Sequence, residues 1–481
     1  MSQIRYVLGA GLLAFACSSG PPSNGESTSS STQELDVAAV RNLTRMQGTQ
    51  TSHDEQVRED DTANLDTAYY RTQGISTRSV ETGLIGNSVF DAYPTLNQFQ
   101  RWYGLSTTAV PASGEATAIY YNRADLGIGR EMHCIDKYDS VRAIACYVKN
   151  FAAGDDGSEF TFGQSPDIAF ANANNQHAFA TVAMVFQPVS LPRVLFLVYD
   201  GTGSKLLPAA ALDRVGIAYQ NVFNQPPSAA RTAKLATLGV PGVNFNNHIP
   251  SNCITCHGGN PYSRATGAFD NGNQFLPFDL DNFDFDSTHT RIGQEDSFRA
   301  LNQIVRRVAE LNTKIDGTPA DVKHSIRNQI DGWYNNPAQK FNSDYVPPGW
   351  DSNAGAGATP GATALYKNVI RGNCRNCHIA NNYRPGLAFD DEGTFLFVAG
   401  GLGSAGLTAG ANSVVSDLTT YQMPHALQST RQFWLSSAPA ALETYYRRIA
   451  QTVAAANILH SANGANVVTL DPDVVSAMQL E

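Results

Sequence analysis

The chain of 481 residues has little charge and no surplus of positive charge. It contains 43 Asp and Glu against 33 Lys and Arg, for a formal net charge of −10, and charged residues make up only 16% of the sequence. This balance argues against nucleic acid or an anionic membrane surface as an electrostatic partner. Hydrophobic residues make up 42%, which is enough to build the cores of the roughly two to four domains that this length suggests.

Long apolar runs are missing as well. The apolar stretch at 4–16 is too short to cross a bilayer as a permanent helix, and Cys17 follows it. The stretch resembles a bacterial lipoprotein signal, which implies that Cys17 is lipidated and that 18–32 is a flexible tether. Residues 14–16 (Ala-Phe-Ala) also fit ordinary signal cleavage, which would release a soluble periplasmic protein. We therefore predict export to the bacterial cell envelope, with an outer-membrane lipoprotein facing the periplasm or the cell surface as the first reading.

Cysteine is scarce, and each of the seven has a predicted role. With Cys17 assigned to the signal, Cys134 and Cys146 are expected to form a disulfide in an oxidising envelope. Two buried free thiols are the alternative. No cysteine is left for nucleophilic catalysis. The other four lie in two Cys-x-x-Cys-His motifs, made of Cys253, Cys256 and His257 and of Cys374, Cys377 and His378.

Cys-x-x-Cys-His is the attachment signature of a c-type haem. Two cysteines three residues apart lie on one helical turn, where they reach both vinyl groups, and the next histidine lies under the ring and binds iron. A thioredoxin-like dithiol would not need the histidine, and a zinc site suits an exported protein less well. The sequence therefore predicts two covalently bound c-type haems.

Residues 355–455 resemble a class I cytochrome c domain. A predicted helix runs into Cys374, a Met-Pro pair follows at Met423, and an amphipathic helix at 442–453 comes last, as in that family. The resemblance implies that His378 is the proximal ligand and Met423 the distal one, with a raised haem potential. Core packing is the alternative role of Met423.

Methionine is absent between the two motifs, so the first haem has no counterpart of Met423. His289, which lies in a loop before an amphipathic helix, is the first candidate for the distal ligand. An open or weakly ligated iron is a second option. The β-rich part of the chain and its exit supply further candidates, which are Met132, His133, Met184 and His248.

These features predict an envelope-anchored dihaem cytochrome c that transfers electrons. Its partners would be redox proteins or small electron donors and acceptors, with no nucleic acid and with membrane contact only through the lipid anchor. The alternative is a dihaem peroxidase or oxygenase with an open first haem, since bacterial dihaem peroxidases resemble this chain in having two haems and a later methionine ligand.

The expected fold is multidomain, with a β-rich N-terminal domain, a sandwich being one form of it, followed by mainly α cytochrome c-like domains. Strands are predicted at 116–121, 143–148, 180–186 and 194–199, and apolar periodicity predicts helices at 297–311 and 319–333. The predicted segments are a signal (1–17), a poorly ordered tether (18–84), the β-rich domain (85–250), the first haem segment (251–345), a linker (346–361) and the class I-like domain (362–481).

Three smaller patterns add expectations. The alternating Phe and Asp of 275–286 predict a half-buried strand, with a calcium site as the alternative. The stretch 123–130 contains two glycines but no complete phosphate-binding pattern, and we expect a turn. Each motif is followed by Asn, Tyr and Arg and then by Ala-Phe-Asp, at 268–270 and 388–390, a weak internal repeat for which duplication of the two segments is one explanation.

Overall fold

The structure, a computed structural model, describes parts of the second of two compact units, Glu34–Glu481. Cys17, His248 and Met423 lie outside the described residues. The described residues are 77–79, 84–85, 95–124, 127–151, 170–171, 173, 178, 180–188, 192–204, 206, 253, 256–258, 273–315, 325–335, 340–353, 358–380, 389–393, 395, 432–433, 436–438, 440–442 and 444–445.

A six-stranded antiparallel sheet forms the centre, and a two-stranded sheet of β1 (Thr77–Ser79) and β2 (Leu84–Ile85) precedes it. The spatial order is β7-β6-β5-β4-β3-β8, so strands consecutive in sequence are mostly neighbours, as in a meander of hairpins. The strands are β3 (Glu115–Asn122), β4 (Ile128–Asp136), β5 (Ile144–Phe151), β6 (Ala180–Pro188), β7 (Pro192–Asp200) and β8 (Phe283–Asp284).

The prediction of a β-rich segment is confirmed, although the short strands β1 and β2 and the long strand β4 were missed. The four predicted strands correspond to β3, β5, β6 and β7, while β4 was not foreseen. The expected turn at 123–130 is a turn only at its start, because β4 already begins at Ile128. Pairing of β4 with both β3 and β5 supplies the backbone hydrogen bonds that turn this Gly-containing sequence into a strand.

The two faces of the sheet follow from the strand register. Side chains directly opposite one another share a face, so the first face carries the aligned row Ala116, Cys134, Cys146, Met184 and Phe196. Cys134 and Cys146 are joined by a disulfide, with a Cα–Cα distance of 4.1 Å, and both are buried. The disulfide thus crosslinks two neighbouring strands inside the core.

Helices cover the first face. The first two helices along the chain are α1 (Leu96–Tyr103) and α2 (Tyr138–Val141). The long helix that covers the first face is α3 (Glu295–Ile315), which packs against β3, β4 and β7. Tyr120 of β3 stacks on Phe283 at 4.2 Å between ring centroids and meets Phe298 of α3 at 5.6 Å. Among the described residues this face is covered by helices and not by a second sheet, so a sandwich is not seen there.

The second face holds a buried charge cluster under α1. His133 lies with Nδ1 at 2.6 Å from Glu115 and Nε2 at 2.8 Å from Glu131, which also contacts Lys149 at 3.0 Å. Burial opposes a charge on His133, but the hydrogen bonds to the two glutamates outweigh it and raise the pKa of His133. Both ring nitrogens are engaged here, so the structure gives His133 a role in the sheet and none as an iron ligand.

The helices after the sheet continue the same core. The helix predicted at 297–311 is α3. Of the helix predicted at 319–333 the structure describes the part Ser325–Trp333, which is α4. Helical turns follow at α5 (Ala362–Leu365), Tyr366–Ile370, α6 (Arg371–Asn373) and α7 (Arg375–His378). One hydrophobic cluster contains residues from Leu96 to Ala380, so the β-rich part and both motif regions share a core. In the described part of the chain no helix is long and apolar enough to cross a membrane.

Candidate haem sites

The first motif lies against the edge strand β7. The ring of His257 meets the ring of Phe196 at 5.2 Å, and Cys253 packs against the main core cluster. His257 and Gln274 exchange two hydrogen bonds, from imidazole Nδ1 to the Gln274 carbonyl at 2.8 Å and from the Gln274 N–H to the His257 carbonyl at 2.8 Å. These contacts fix the direction of the imidazole relative to the segment that begins at residue 273.

The Gln274 contact also decides the tautomer of His257. A carbonyl oxygen only accepts, so Nδ1 carries the proton and Nε2 presents its lone pair. Burial lowers the pKa of His257 to about 4, which keeps the ring neutral. A neutral imidazole held through Nδ1 by a carbonyl is the form in which histidine binds a metal. His257 therefore fits the role of an iron ligand.

The second motif ends a helical run. The Cys374 N–H donates to the Ile370 carbonyl at 3.0 Å, and the His378 N–H donates to the Cys374 carbonyl at 3.1 Å. The His378 ring stacks on Phe389, with 4.0 Å between centroids and 9° between planes. The indole of Trp350 donates to the Phe389 carbonyl at 3.0 Å, which holds that ring under the histidine.

The motif cysteines fit covalent haem attachment. Cys253, Cys256, Cys374 and Cys377 are half-buried, and none is in a disulfide. Burial raises the pKa of the Cys374 thiol to about 12, so it stays a neutral thiol. In the second motif Cys374 precedes α7, and the hydrogen bond from the His378 N–H to the Cys374 carbonyl closes one turn that contains both cysteines and the histidine. The donor set is therefore suited to two thioether bonds and one iron–nitrogen bond.

A buried ion pair fastens the second motif to the core. Arg375, between the two cysteines, is 3% exposed, and its partner Asp279 is 1% exposed. Arg375 Nε lies 2.9 Å from Asp279 Oδ2, a second guanidinium nitrogen contacts the same oxygen, and Nη1 donates to the Tyr366 hydroxyl at 2.6 Å. The guanidinium also lies 5.1 Å from the centre of the Trp333 ring.

The same chain segment holds both motifs. Gln274, which orients His257, and Asp279, which pairs with Arg375, are five residues apart. Five residues of fully extended backbone span about 18 Å at most. The Cα atoms of Gln274 and Asp279, the residues that hold the two motifs, therefore lie no farther apart than this distance.

The Phe-Asp run supplies that segment and is not one strand. It contains a 3-10 turn at Leu280–Asn282 and only the two residues of β8. Its aspartates take part in ion pairs and hydrogen bonds, Asp279 with Arg375, Asp281 with Arg291, Ser343 and, at 4.0 Å, Arg375, Asp284 with Arg123, and Asp286 with His289. Within the described ranges no three His, Cys, Asp or Glu side chains converge as a metal site.

His289 lies beside β3. Its Nδ1 is 3.1 Å from Asp286, and its carbonyl accepts from Gln294, which also bonds to both backbone groups of Ile119. Four strand spacings, about 19 Å, separate β3 from β7, where Phe196 contacts His257. None of the hydrogen bonds, ion pairs or ring contacts described for His289 joins it to the first motif.

Met184 lies nearer than His289 to the first motif in the order of the strands. It lies in β6 directly opposite Phe196, on the same face of the sheet, and is buried. Met184 is thus the described candidate ligand that is paired with Phe196, the residue whose ring contacts His257. Met132 also lies on this face but in β4, two strands further from β7.

Sequence reasoning missed Arg375 and Asp279, because the positions between motif cysteines read as variable and Asp279 read as one of four similar aspartates. Phe389 carried a signal, since it belongs to the repeated Ala-Phe-Asp pattern.

Comparisons with known proteins return no match, since no family model, no curated protein and no solved structure matches the chain. The resemblance to class I cytochromes c therefore depends on the motifs themselves.

Proposed function

We propose that this protein is a dihaem cytochrome c of the bacterial envelope that passes electrons between redox partners. The observation that supports this best is the segment 274–279, which holds the ligand of one motif at its start and the second motif at its end. Two motifs in one core and within a short backbone distance form one electron-transfer unit. The haems, when bound, supply the one-electron chemistry.

The residues of the chain orient and tune the haem ligands. The Gln274 carbonyl fixes His257 with Nε2 available to iron and makes the imidazole more basic. Phe389 limits the rotation of His378. Arg375 and Asp279 form an ion pair in the core beside the second motif, where low polarity makes their field strong. Burial raises the pKa of Asp279, and the Arg375 guanidinium opposes this by stabilising the carboxylate. Met423 is proposed as the distal ligand at the second iron.

Haem counting tests the proposal. The full chain is produced in a bacterial host that attaches c-type haem, and its mass is measured. We expect two haems in the wild type and one each in the Cys256→Ala and Cys377→Ala variants. The matched control, Cys134→Ala with Cys146→Ala, removes two cysteines outside the motifs and should retain both haems. A wild type with no attached haem would refute the proposal.

Spectra of the same samples separate a carrier from an enzyme. We expect both haems to be low-spin in either oxidation state, with no carbon monoxide or cyanide binding, since two strong ligands fill the iron. A high-spin haem that turns over peroxide would instead establish the peroxidase alternative.

Ligand variants then identify the distal groups. Met423→Leu should lower the potential of one haem, because it removes the thioether sulfur that favours ferrous iron. Met184→Leu and His289→Ala form a matched pair for the first haem. From its position opposite Phe196 we expect Met184→Leu to convert that haem to high spin and His289→Ala to leave it unchanged. The reverse outcome would restore His289 as the ligand.

A further inference from the structure

A cavity of about 560 Å³ lies beside the second motif, away from its attachment groups. Its wall includes Arg375 and Ile379, while Cys374, Cys377 and His378 do not line it. Residues four apart share a helical face, so the two wall residues lie along one side of the motif helix and the attachment residues along the adjacent side. The cavity is therefore distinct from the surface on which a haem would be attached.

An unpaired donor lines this cavity. Arg375 donates to the Tyr366 oxygen at 2.6 Å, so the hydroxyl hydrogen of Tyr366 is directed to Gln329 Oε1 at 3.2 Å. This contact fixes the amide orientation of Gln329, which is 4% exposed and whose Nε2 has no hydrogen-bond partner in the described part of the chain. A buried donor without an acceptor is costly, and the volume is far larger than a single water needs. An acceptor from a bound molecule would satisfy it.

The rest of the wall restricts what can bind. Tyr345, Phe389 and the Pro347-Pro348 pair provide apolar surfaces, while the exposed Asp390, the half-exposed Asp391 and the buried Glu392 also line the cavity. Ser325 Oγ donates to Asp390 at 3.0 Å, which orients that carboxyl group. Among the lining residues these acidic side chains outnumber Arg375, whose charge is paired with Asp279, so the wall accepts hydrogen bonds and repels anions. The volume is within the range of small-molecule pockets.

We propose that this cavity binds a neutral aromatic molecule that offers a carbonyl oxygen to Gln329 Nε2 and an N–H or O–H group to the acidic side chains. The cavity shares Arg375 and Phe389 with the surroundings of the second motif, but none of the attachment residues lines it, so binding there is measured separately from haem counting.

The probe is benzamide, which combines a flat ring, a carbonyl oxygen and an N–H donor, and the matched control is benzoate, which has the same shape and a negative charge. Binding to the full haem-loaded chain is measured by calorimetry or by ligand-observed NMR. For a ligand of this size we expect a dissociation constant of about 1 mM or below. Benzoate should bind at least about tenfold more weakly, because of the acidic side chains.

Two variants connect binding to this cavity. Gln329→Met keeps the size of the side chain and removes the donor, so benzamide should bind about 3- to 10-fold more weakly. Ala358→Leu fills the cavity from its half-exposed edge and should abolish binding, and it also serves if Gln329→Met fails to fold. The proposal is overturned if benzamide does not bind, if benzoate binds equally well, or if benzamide binding survives Ala358→Leu unchanged.

Discussion

Replacing Arg375 with leucine would leave the Asp279 carboxylate in the core without its charge partner. Asp279 is 1% exposed and accepts two of the guanidinium hydrogen bonds, so the substitution removes both of them from a buried carboxyl group. Removing one member of such a buried pair costs about 3–5 kcal/mol of the free energy of unfolding. The loss of the hydrogen bond to Tyr366 falls within that range. We therefore expect Arg375→Leu to be among the most destabilising single substitutions in this core.

A double-mutant cycle measures the pairing itself. Denaturant unfolding of the haem-loaded chain is compared for Arg375→Leu, Asp279→Leu and the double variant, and the double variant should be more stable than either single variant. The reason is that no unpaired charge remains when both are replaced by apolar side chains. Arg299→Leu is the matched control, because its partner Asp296 is 87% exposed and such pairs contribute less than about 1 kcal/mol.

Two results would refute this reasoning. Single losses below about 1 kcal/mol would show that solvent reaches the pair. Additive losses in the double variant would show that Arg375 and Asp279 stabilise the core through separate contacts and not through each other.

Two further predictions concern the sheet. The pKa of Glu131 is lowered from its ordinary 4.5 to about 2 by His133 and Lys149 against the effect of burial, and that of His133 is raised above 6.5. The stabilisation of the fold by this cluster is therefore complete between about pH 4.5 and 6.5, and it declines as pH falls toward 2 or rises through the raised pKa of His133. When the free energy of unfolding is measured against pH, His133→Gln should no longer show the loss of stability on the alkaline side. A profile that His133→Gln leaves unchanged would contradict this prediction. The double variant Cys134→Ala, Cys146→Ala should lose about 3 kcal/mol in the same assay, because a disulfide that closes a loop of this size contributes about that much; equal stability of wild type and variant would show that the crosslink is dispensable.

Local patterns allowed much of the secondary structure to be predicted. Alternating and β-branched runs predicted β3, β5, β6 and β7, and apolar periodicity predicted α3, because these signals depend only on which face of an element is buried. The strand β4 was missed because its residues become a strand through pairing with both neighbours. Cys134 and Cys146 were predicted to be bonded by counting cysteines, and the register of β4 and β5 places them opposite each other.

The sequence by itself determined the two Cys-x-x-Cys-His motifs, because their residues have a fixed spacing along the chain. Only the tertiary structure decided how those motifs are supported. The pairing of Arg375 with Asp279 joins residues 96 positions apart, and the contact of Phe196 with His257 joins a strand to a motif beyond it. No local pattern encodes such contacts, because they form only when burial in a common core removes water from both partners at once.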